Sequence, residues 1–498
     1  MNDESPRSDV NIETDTGSRV PAQLELPIDV PLCVDLDGTL VRSDTLMEAL
    51  LLLIKQRPWC LFLLPIWLLG GKARVKAEIA RRVCFSASAL PYHADLLDWL
   101  RVEHARGRRL VLASGANAMI VGAIAKELGI FAETFSSDDA INLTGQAKAD
   151  ALKARFDAFA YIGDSSVDLP VWQAARSAVL VVSSARREKE LSARITFDHV
   201  FRSPRRSRLL LWVKALRLHQ WVKNSLMFVP LVLAHDFLDM QRVSLLLIGF
   251  MAFNITASSV YILNDLLDLA ADRQHPRKRF RPFAAGDLPV VQGLVVWPFL
   301  VVAGFGLAFL AGPAFALVLA GYYMLTIAYS FDLKRRALVD VFTLATLYTL
   351  RIIAGAVAAS VVLSPWLLAF SIFIFLSLAI VKRVAELVSM REGGTTQIAG
   401  RGYRHDDLYM LEVLGVAAGY ASVVVLALYV SAPESRALYV HHQLLWLFAP
   451  LVLFWISRVW LKTHRGEMHD DPIVFAMKDN PSRVVFLLCF VVLVLAAF

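Results

Sequence analysis

Three aspartates and a cluster of basic residues share the segment NDLLDLAADRQHPRKRFRP, which covers residues 264–282. Asp265, Asp268 and Asp272 are spaced i, i+3 and i+7, so a helix would carry them on one face. Three carboxylates on one stripe repel one another unless a divalent cation joins them, and Mg²⁺ bridges a few carboxylates to phosphate oxygens. The spacing therefore predicts a magnesium and diphosphate site, with a solvated, charge-balanced loop as the alternative. The polar residues expected to assist are Asn264, Lys278 and Arg281.

A second set of polar residues follows short apolar runs in the first 200 residues. The runs at 30–35, 110–114, 159–164 and 178–183 each end at a polar or acidic residue. Such a pattern is typical of a parallel sheet whose functional groups lie at the carboxyl ends of the strands. We therefore predict that the chain begins with an α/β domain.

The motif VDLDGT places Asp35 and Asp37 at the first of these strand ends. Two residues apart, they would point to the same side of an extended strand. Asp35 is then the nucleophile that forms an aspartyl-phosphate, and Asp37 protonates the leaving oxygen and later activates water. The expected supporting groups are a phosphate-binding hydroxyl, a charge-neutralising cation and two magnesium carboxylates, namely Ser114, Lys148, Asp164 and Asp168.

In this order, DxDGT, SG, Lys and GDxxxD resemble the haloacid-dehalogenase-like (HAD) phosphatases over about residues 30–200. The resemblance implies a Rossmann-like domain and a magnesium-dependent phosphomonoesterase, with one Mg²⁺ held by the four aspartates just named. The family lysine is Lys148 or Lys153, and the Gly145-x-x-Lys spacing favours Lys148.

An insert at 46–90 separates the first two motifs and is expected to be a helical cap. Its apolar run at 46–71 is broken by Lys55, Pro58 and Pro65, and a span there would separate the halves of the sheet. We interpret it as a cap that lies in the membrane interface, and a buried helix pair is the alternative. An apolar cap favours a lipid-linked phosphate ester over a soluble metabolite.

The rest of the chain has the composition of a membrane domain. The whole sequence is 57% hydrophobic and 19% charged, and apolar runs of about 17–24 residues, the length that crosses a bilayer core, recur after residue 208. We predict about nine spans, near 224–240, 243–263, 291–311, 313–331, 339–361, 364–381, 408–430, 440–458 and 482–498.

The distribution of basic residues predicts the orientation. Most of the Lys and Arg of this half lie in the loops at 264–290, 332–338, 382–407 and 459–481. The positive-inside rule therefore predicts that these loops and the HAD domain face the cytosol, and that the protein lies in the bacterial inner membrane. Residues 185–223 mix basic residues with tryptophans and are interpreted as a juxtamembrane collar, not as a nucleic-acid site. Four scattered cysteines indicate a reducing compartment.

Several polar residues occur at or near membrane depth. Arg351 lies about three turns into the fifth span. Burying a charge at this depth costs free energy, so we predict a functional role for Arg351, and the alternative is that its side chain snorkels to the membrane surface. Lys223 and Asn224 bind a phosphate or act as interface anchors, and Lys382 with Glu386 is a candidate i,i+4 pair. The full set of candidate substrate-binding residues here is Lys223, Asn224, Tyr329, Lys334, Asp340, Arg351, Lys382, Arg383 and Glu386.

Residues 215–498 resemble the UbiA superfamily of intramembrane prenyltransferases through the aspartate-rich segment and the span count. The second aspartate-rich motif of that superfamily is replaced here by KRVAEL. The set QWVKN, YSFDLK, LRIIAGA and KRVAEL is instead similar to the polyprenyl-phosphate phosphoribosyltransferase branch. The resemblance implies transfer of 5-phosphoribose from phosphoribosyl pyrophosphate (PRPP) to a polyprenyl phosphate at a second Mg²⁺ site. The three aspartates would hold that Mg²⁺, and basic residues would bind the phosphates.

We therefore predict a two-domain enzyme in which the HAD domain removes the 5-phosphate from the transferase product. The expected parts are a disordered tail (1–28), the HAD domain (29–200), a basic linker (201–222) and an all-α membrane bundle (223–498). The expected partners are PRPP, a polyprenyl phosphate and the membrane, with no nucleic acid, and a homo-oligomer is left open. The alternatives are an aromatic prenyltransferase with an unrelated phosphatase, and a transporter or lipid-binding protein.

Overall fold

A computed structural model describes residues 29–139, 141–203, 206–392, 402–468 and 471–497, so the predicted tail lies outside the described residues. The chain divides into two compact units. The first unit contains the described residues up to Leu211 together with Asp265–Val291, which we call the aspartate segment. The second contains Trp212–Asn264 and the described residues after Val291.

The first unit is built on a six-stranded parallel sheet. Its strands occur in the order β3-β2-β1-β4-β5-β6, and β1 pairs with β2 and β4 from Leu32 to Val34. Because side chains alternate across a strand, Leu32 and Val34 join one buried cluster and Cys33 joins the other. The strands are β1 (Leu32–Val34), β2 (Leu110–Asn117), β3 (Glu133–Ser137), β4 (Ala160–Gly163), β5 (Ser177–Val182) and β6 (His199–Arg202).

The four strands predicted from sequence are confirmed as β1, β2, β4 and β5. The two that sequence analysis missed, β3 and β6, are the edge strands of the sheet. Their sequences, ETFSS and HVFR, lack the continuous apolar run of a strand that is buried on both faces.

Helices flank this sheet and form the predicted cap. Helix α1 begins after Asp44, whose Oδ1 accepts hydrogen bonds from the amides of Leu46 and Met47. The cap leaves Trp59, Phe62 and several other apolar side chains exposed. The helices are α1 (Thr45–Gln56), α2 (Leu64–Leu69), α3 (Gly71–Ala80), α4 (Ala94–Ala105), α5 (Ala118–Leu128), α6 (Gln146–Arg155), α7 (Leu169–Ala174) and α8 (Ala185–Ser192).

The second unit is entirely helical. Eight of the helices described are long and apolar enough to cross a membrane, and they match eight of the nine predicted spans. The remaining helices of the chain are α9 (Arg208–Ala215), α10 (Val229–Leu233), α11 (Met240–Leu267), α12 (Leu269–Gln274, in the aspartate segment), α13 (Val290–Ala311), α14 (Pro313–Phe331), α15 (Val339–Ala358), α16 (Pro365–Glu392), α17 (Leu408–Ser431), α18 (Pro433–Leu438), α19 (Phe448–His464), α20 (Pro472–Lys478) and α21 (Asn480–Ala497).

The span predicted at 224–240 is not a long helix. A 3-10 segment, Leu218–Phe228, is followed there by the five residues of α10. Polar groups explain the difference, because Asn224 is buried with its side chain hydrogen-bonded inside the unit, and the run ends in His235 and Asp236. The 3-10 segment packs tightly on α15, where a Cβ at Gly355 would lie 1.9 Å from the carbonyl oxygen of Met227.

Candidate active sites

The first candidate site lies at the carboxyl ends of β1 and β4. Lys148, from the first turn of α6, places its Nζ 2.7 Å from Asp35 Oδ1 and 3.4 Å from Asp168 Oδ1. It also donates to the hydroxyl of Tyr161 at 2.8 Å, and that hydroxyl donates to Asp168 Oδ1 at 2.7 Å. All four side chains are buried, so the ammonium and the two carboxylates form a closed, mutually satisfied network.

The two carboxylates of this network and a third beside them fit a divalent cation. Asp35, Asp164 and Asp168 each offer one oxygen, and these oxygens lie within 4.8 Å of one another. Gly38 has a φ of +81°, and a Cβ there would lie 2.5 Å from Asp164 Oδ2, so this turn requires glycine. Asp37 does not belong to this group, since its Oδ1 accepts the amide of Thr45 at 2.8 Å.

The protonation behaviour of these carboxyls reflects their crowding. Burial, followed by repulsion from Asp35 and Asp168, raises the pKa of Asp164 to about 8. Burial also raises the pKa of Asp37 to about 7 and that of Asp35 to about 6, where the charge of Lys148 opposes the shift. Burial lowers the pKa of Lys148, but the two carboxylates beside it outweigh that effect and the net shift is upward. A bound cation relieves this accumulation of negative charge.

The strand β2 supplies the predicted phosphate-binding turn. Ser114 is buried and its Oγ accepts the amide of Ala116 at 3.0 Å. Sequence analysis missed Lys76, which reaches from α3 in the cap and donates to the carbonyl of Gly115 at 2.6 Å and to Asn142 Oδ1 at 2.7 Å. Burial lowers the pKa of Lys76, and the charges of Asp37 and Asp44 oppose that shift. No sequence signal marked this lysine, because the cap contains several.

The second candidate site is the aspartate segment. Arg281 Nη1 lies 3.1 Å from Asp265 Oδ1 and 2.6 Å from Asp272 Oδ2, and both carboxylates are buried. Two of the three predicted aspartates therefore converge on one cation. Asn264 is half-buried in α11, and Lys278 is exposed at the start of the 3-10 helix Lys278–Phe280.

The prediction that all three aspartates share one helical face is wrong. Helix α11 ends at Leu267 and α12 begins at Leu269, so Asp268 occupies a break, with φ −103° and ψ 13°. Its Oδ1 instead accepts a hydrogen bond from Lys55 Nζ, at 2.7 Å. Asp268 therefore pairs with Lys55, while Asp265 and Asp272, on either side of the break, meet at Arg281.

In the second unit, two predicted cations meet at a carboxylate that sequence analysis missed. Lys223 Nζ lies 2.7 Å from Asp471 Oδ2, and Lys382 Nζ lies 3.3 Å from the same oxygen. With two lysines for one aspartate, this group retains a formal positive charge. Asp471 is 89 residues from Lys382 in the chain, and no local motif marks it.

A second polar group in this unit surrounds Arg383. Its guanidinium forms an ion pair with Asp340, donates to Tyr329 Oη at 3.1 Å and lies 2.7 Å from Glu386 Oε2. Tyr329 in turn donates to Asp340 Oδ1 at 2.8 Å. Arg383 and Asp340 are fully buried, and the structure adds an i,i+3 pair of Arg383 with Glu386 that spacing did not predict. Lys334 is half-buried in the 3-10 helix Leu333–Arg335.

The third polar group contains Arg351, which is buried and does not snorkel. Its Nε donates to Asn224 Oδ1 at 2.7 Å and its Nη2 to Tyr322 Oη at 3.2 Å. Asn224 donates to Asn254 Oδ1 at 2.7 Å. Three aromatic rings, of Phe253, Tyr322 and Tyr348, lie within 6 Å of the guanidinium carbon, which stabilises the charge by cation–π attraction.

Comparison with known proteins assigns both domains to known families. The model of the UbiA prenyltransferase family matches residues 225–487, and the model of haloacid dehalogenase-like hydrolases matches residues 32–173. The chain belongs to the UbiA prenyltransferase family and carries an N-terminal HAD-like hydrolase domain. Together with the eight apolar helices among the described residues, this makes it a multi-pass membrane protein.

Relatives of this chain cover either nearly all of it or about half of it. The "Uncharacterized protein y4nM" of Sinorhizobium fredii is 40% identical over 458 residues, which cover 91% of this chain and 88% of that protein. "Nodulation protein NoeC" of Azorhizobium caulinodans is 38% identical over 282 residues, 55% of this chain and 90% of that protein. The decaprenyl-phosphate phosphoribosyltransferase of Mycobacterium tuberculosis is 36% identical over 214 residues, 41% of this chain and 70% of that protein.

Proposed function

We propose that the membrane domain transfers 5-phosphoribose from PRPP to a polyprenyl phosphate and releases pyrophosphate. We further propose that the HAD domain then removes the 5-phosphate to give polyprenyl-phosphoryl-ribose, a pentose donor for cell-envelope glycans. The observation that carries the first step is the 36% identity to a decaprenyl-phosphate phosphoribosyltransferase over 70% of that relative. The convergence of Asp265 and Asp272 on the guanidinium of Arg281 supports this first step.

The aspartate segment is suited to bind a magnesium diphosphate. Asp265 and Asp272 bring two buried carboxylates to one guanidinium, so the pair already accommodates a cation. When bound, Mg²⁺ would neutralise charge on the departing pyrophosphate. Arg281 and Lys278 would then bind phosphate oxygens, which leaves Asp265 and Asp272 to hold the metal. Asp268, predicted from sequence as a third ligand, pairs with Lys55 instead, so we assign the metal to Asp265 and Asp272 alone.

The transfer itself needs little covalent participation by the protein. A phosphate oxygen of the lipid attacks C1 of the ribose, the bond from C1 to pyrophosphate breaks, and charge develops at an oxocarbenium-like centre. Lys223 and Lys382 are our candidates for the acceptor phosphate, because their shared carboxylate leaves positive charge to spare. Arg383 is already paired with Asp340 and Glu386, so we assign it the positioning of α16 and α15.

The hydrolase step follows from the buried network at β1. Asp35 attacks the 5-phosphate and forms an aspartyl-phosphate, while Asp37 gives a proton to the leaving ribose oxygen. Asp37 then accepts a proton from the water that releases inorganic phosphate. Lys148, 2.7 Å from Asp35, offsets the negative charge that collects there, and Asp35, Asp164 and Asp168 would hold Mg²⁺.

Consecutive action is supported by the position of helix α1 in the first unit. The amide of Thr45 at its first residue binds Asp37, and Lys55 near its last residue binds Asp268. Ten residues of helix separate Thr45 from Lys55, a rise of about 15 Å. The membrane location, with both sites facing the cytosol of the bacterial inner membrane, is part of the proposal.

The test is acceptor-dependent release of pyrophosphate by the purified full chain with Mg²⁺. We expect release from PRPP only when polyprenyl phosphate is present, and at least a hundredfold less from Asp272→Asn, a loss of the order reported for charge-stabilising groups. The control is Asp406→Asn, since Asp406 is an exposed aspartate of the second unit outside the polar groups described above. Turnover of a prenyl diphosphate with an aromatic acceptor, and none of PRPP, would contradict the proposal.

A further inference from the structure

Helix α1 of the hydrolase domain makes two ion pairs with the aspartate segment. Near its start, Glu48 receives both ends of the Arg273 guanidinium, at 2.7 and 2.8 Å. Near its end, Lys55 Nζ donates to the carbonyl of Leu267 at 2.9 Å and to Asp268 Oδ1 at 2.7 Å. Glu48 and Lys55 are seven residues apart, two helical turns, and therefore share one face of α1.

The Arg273–Glu48 pair is a fixed anchor. Both side chains are less than a tenth exposed, and Arg273 further donates to the carbonyls of Ala284, at 2.8 Å, and Ala89, at 3.1 Å. A bidentate pair with two further donors bound to carbonyls fixes geometry more firmly than a single contact. Arg273 follows Asp272 directly, so the anchor fixes the backbone that carries this carboxylate.

The far end of the segment is anchored independently. Gly286 has a φ of +73°, and a Cβ there would lie 2.7 Å from Cβ of Arg42 and 2.9 Å from its carbonyl oxygen. The next residue, Asp287, pairs with Arg206 at 2.5 Å. The segment is thus held by Glu48 before the basic cluster that contains Arg281, and by Arg42 and the linker residue Arg206 after it.

Lys55 lies at the place where the segment departs from a continuous helix. Its ammonium binds the last carbonyl of α11, and a cation there stabilises a helix C-terminus. The same ammonium pairs with Asp268, whereas Asp265 and Asp272 meet at Arg281. A continuous helix would instead bring three carboxylates together on one face.

We propose that Lys55 is a positioning residue of the transferase, contributed by the cap of the hydrolase domain. It ends α11 after Leu267 and removes Asp268 from the pair, so Asp265 and Asp272 are pre-arranged for a magnesium diphosphate. The hydrolase domain then serves the transfer through its structure, independently of its own chemistry. This inference rests on the proposed role of the aspartate segment.

The test compares three variants of the full chain: Lys55→Ala, Lys55→Arg and Arg101→Ala. Arg101 is the matched control, because it forms an ion pair with Asp98 on an exposed face of the same unit. The readouts are KM for PRPP, kcat of transfer, the Mg²⁺ concentration for half-maximal transfer, and hydrolysis of p-nitrophenyl phosphate.

For Lys55→Ala we expect KM for PRPP and the Mg²⁺ requirement to rise about tenfold, the size of one lost hydrogen bond to a charged group, with a smaller change in kcat. Hydrolysis of p-nitrophenyl phosphate stays within about twofold, since Lys55 lies ten residues along α1 from the amide that binds Asp37. Lys55→Arg restores most of the affinity because it keeps the charge, and Arg101→Ala changes nothing.

Two results would overturn the inference. One is unchanged transfer by Lys55→Ala in a preparation whose wild type is active. The other is an equal loss of both activities with a lower Tm and no rescue by Lys55→Arg, which marks a merely structural contact. A wild type that binds magnesium pyrophosphate more tightly than Lys55→Ala but transfers nothing from PRPP would instead refute the proposed function and leave the positioning role standing.

Discussion

The two carboxylate groups of the first unit are assembled in different ways. At β1, three carboxylates from two strand ends meet within 4.8 Å, and one buried lysine accompanies them. In the aspartate segment, three carboxylates lie within eight consecutive residues, yet only Asp265 and Asp272 meet, while Asp268 pairs with Lys55. Closeness in sequence therefore did not give closeness in space. The parallel sheet positions residues that are more than a hundred apart better than a broken helix positions neighbours.

The largest expected effect is at the sheet site. Asp35→Asn removes the nucleophile, so hydrolysis of p-nitrophenyl phosphate should fall by about 10⁴-fold or more, as for other covalent nucleophiles. Transfer from PRPP should be retained. A variant that keeps phosphatase activity would show that the β1 carboxylates are not the hydrolytic site.

In the aspartate segment, the same substitution of Asp by Asn should reduce transfer by different amounts at Asp272 and at Asp268. Asp272→Asn should reduce transfer at least about a hundredfold, because it removes one of the paired carboxylates, and Asp268→Asn only about tenfold. Initial rates at saturating PRPP and Mg²⁺ measure both. Equal losses would mean that all three aspartates bind the metal and that the pairing of Asp268 with Lys55 is broken during turnover.

A smaller effect is expected at the hydroxyl that links the sheet network. Tyr161→Phe removes a donor to Asp168 and an acceptor from Lys148, while Lys148 keeps Asp35 at 2.7 Å. Loss of one buried hydrogen-bonding group costs about 1–3 kcal/mol. We expect a lower Tm of the hydrolase domain and about tenfold slower hydrolysis, measured by thermal unfolding and by turnover of p-nitrophenyl phosphate. A Tyr161→Phe variant with the Tm of the wild type would contradict this hydrogen-bond network.

The smallest expected effect is a dependence of the Tm on pH and on Mg²⁺. Asp37 and Asp164 have folded-state pKa values raised to about 7 and 8, so the metal-free native state binds protons more tightly than the unfolded chain. The stability of the metal-free first unit should therefore fall as pH rises from about 5 to 8. Added Mg²⁺ should raise Tm more at pH 8 than at pH 6. A Tm gain from Mg²⁺ that is larger at pH 6 contradicts this.

Much of the fold followed from local patterns. The central strands, the cap and eight of the spans were marked by apolar runs of the right length, and edge strands β3 and β6 were not, because half-exposed strands carry no such run. The span predicted at 224–240 failed for a tertiary reason, since Asn224 is buried against Asn254 and Arg351.

The site residues, like the elements of the fold, were predicted where a local motif marks them and missed where it does not. Strand-end motifs were sufficient to nominate Asp35, Asp164 and Asp168, which the structure brings together. Partners contributed from a distance had no local signal. Asp471 meets Lys223 from 248 residues away, and Lys55 reaches Asp268 across 213 residues. Such pairs depend on how helices pack, which periodicity does not specify.

The most direct test of the account is the mass of the lipid product formed from PRPP, polyprenyl phosphate and Mg²⁺ by the full chain. Wild type should give polyprenyl-phosphoryl-ribose and release both pyrophosphate and inorganic phosphate. Asp35→Asn should accumulate the same lipid heavier by one 5-phosphate group, with pyrophosphate as the only small product. An identical ribosyl lipid without the 5-phosphate from both proteins, or no ribosyl lipid from either, would contradict the account.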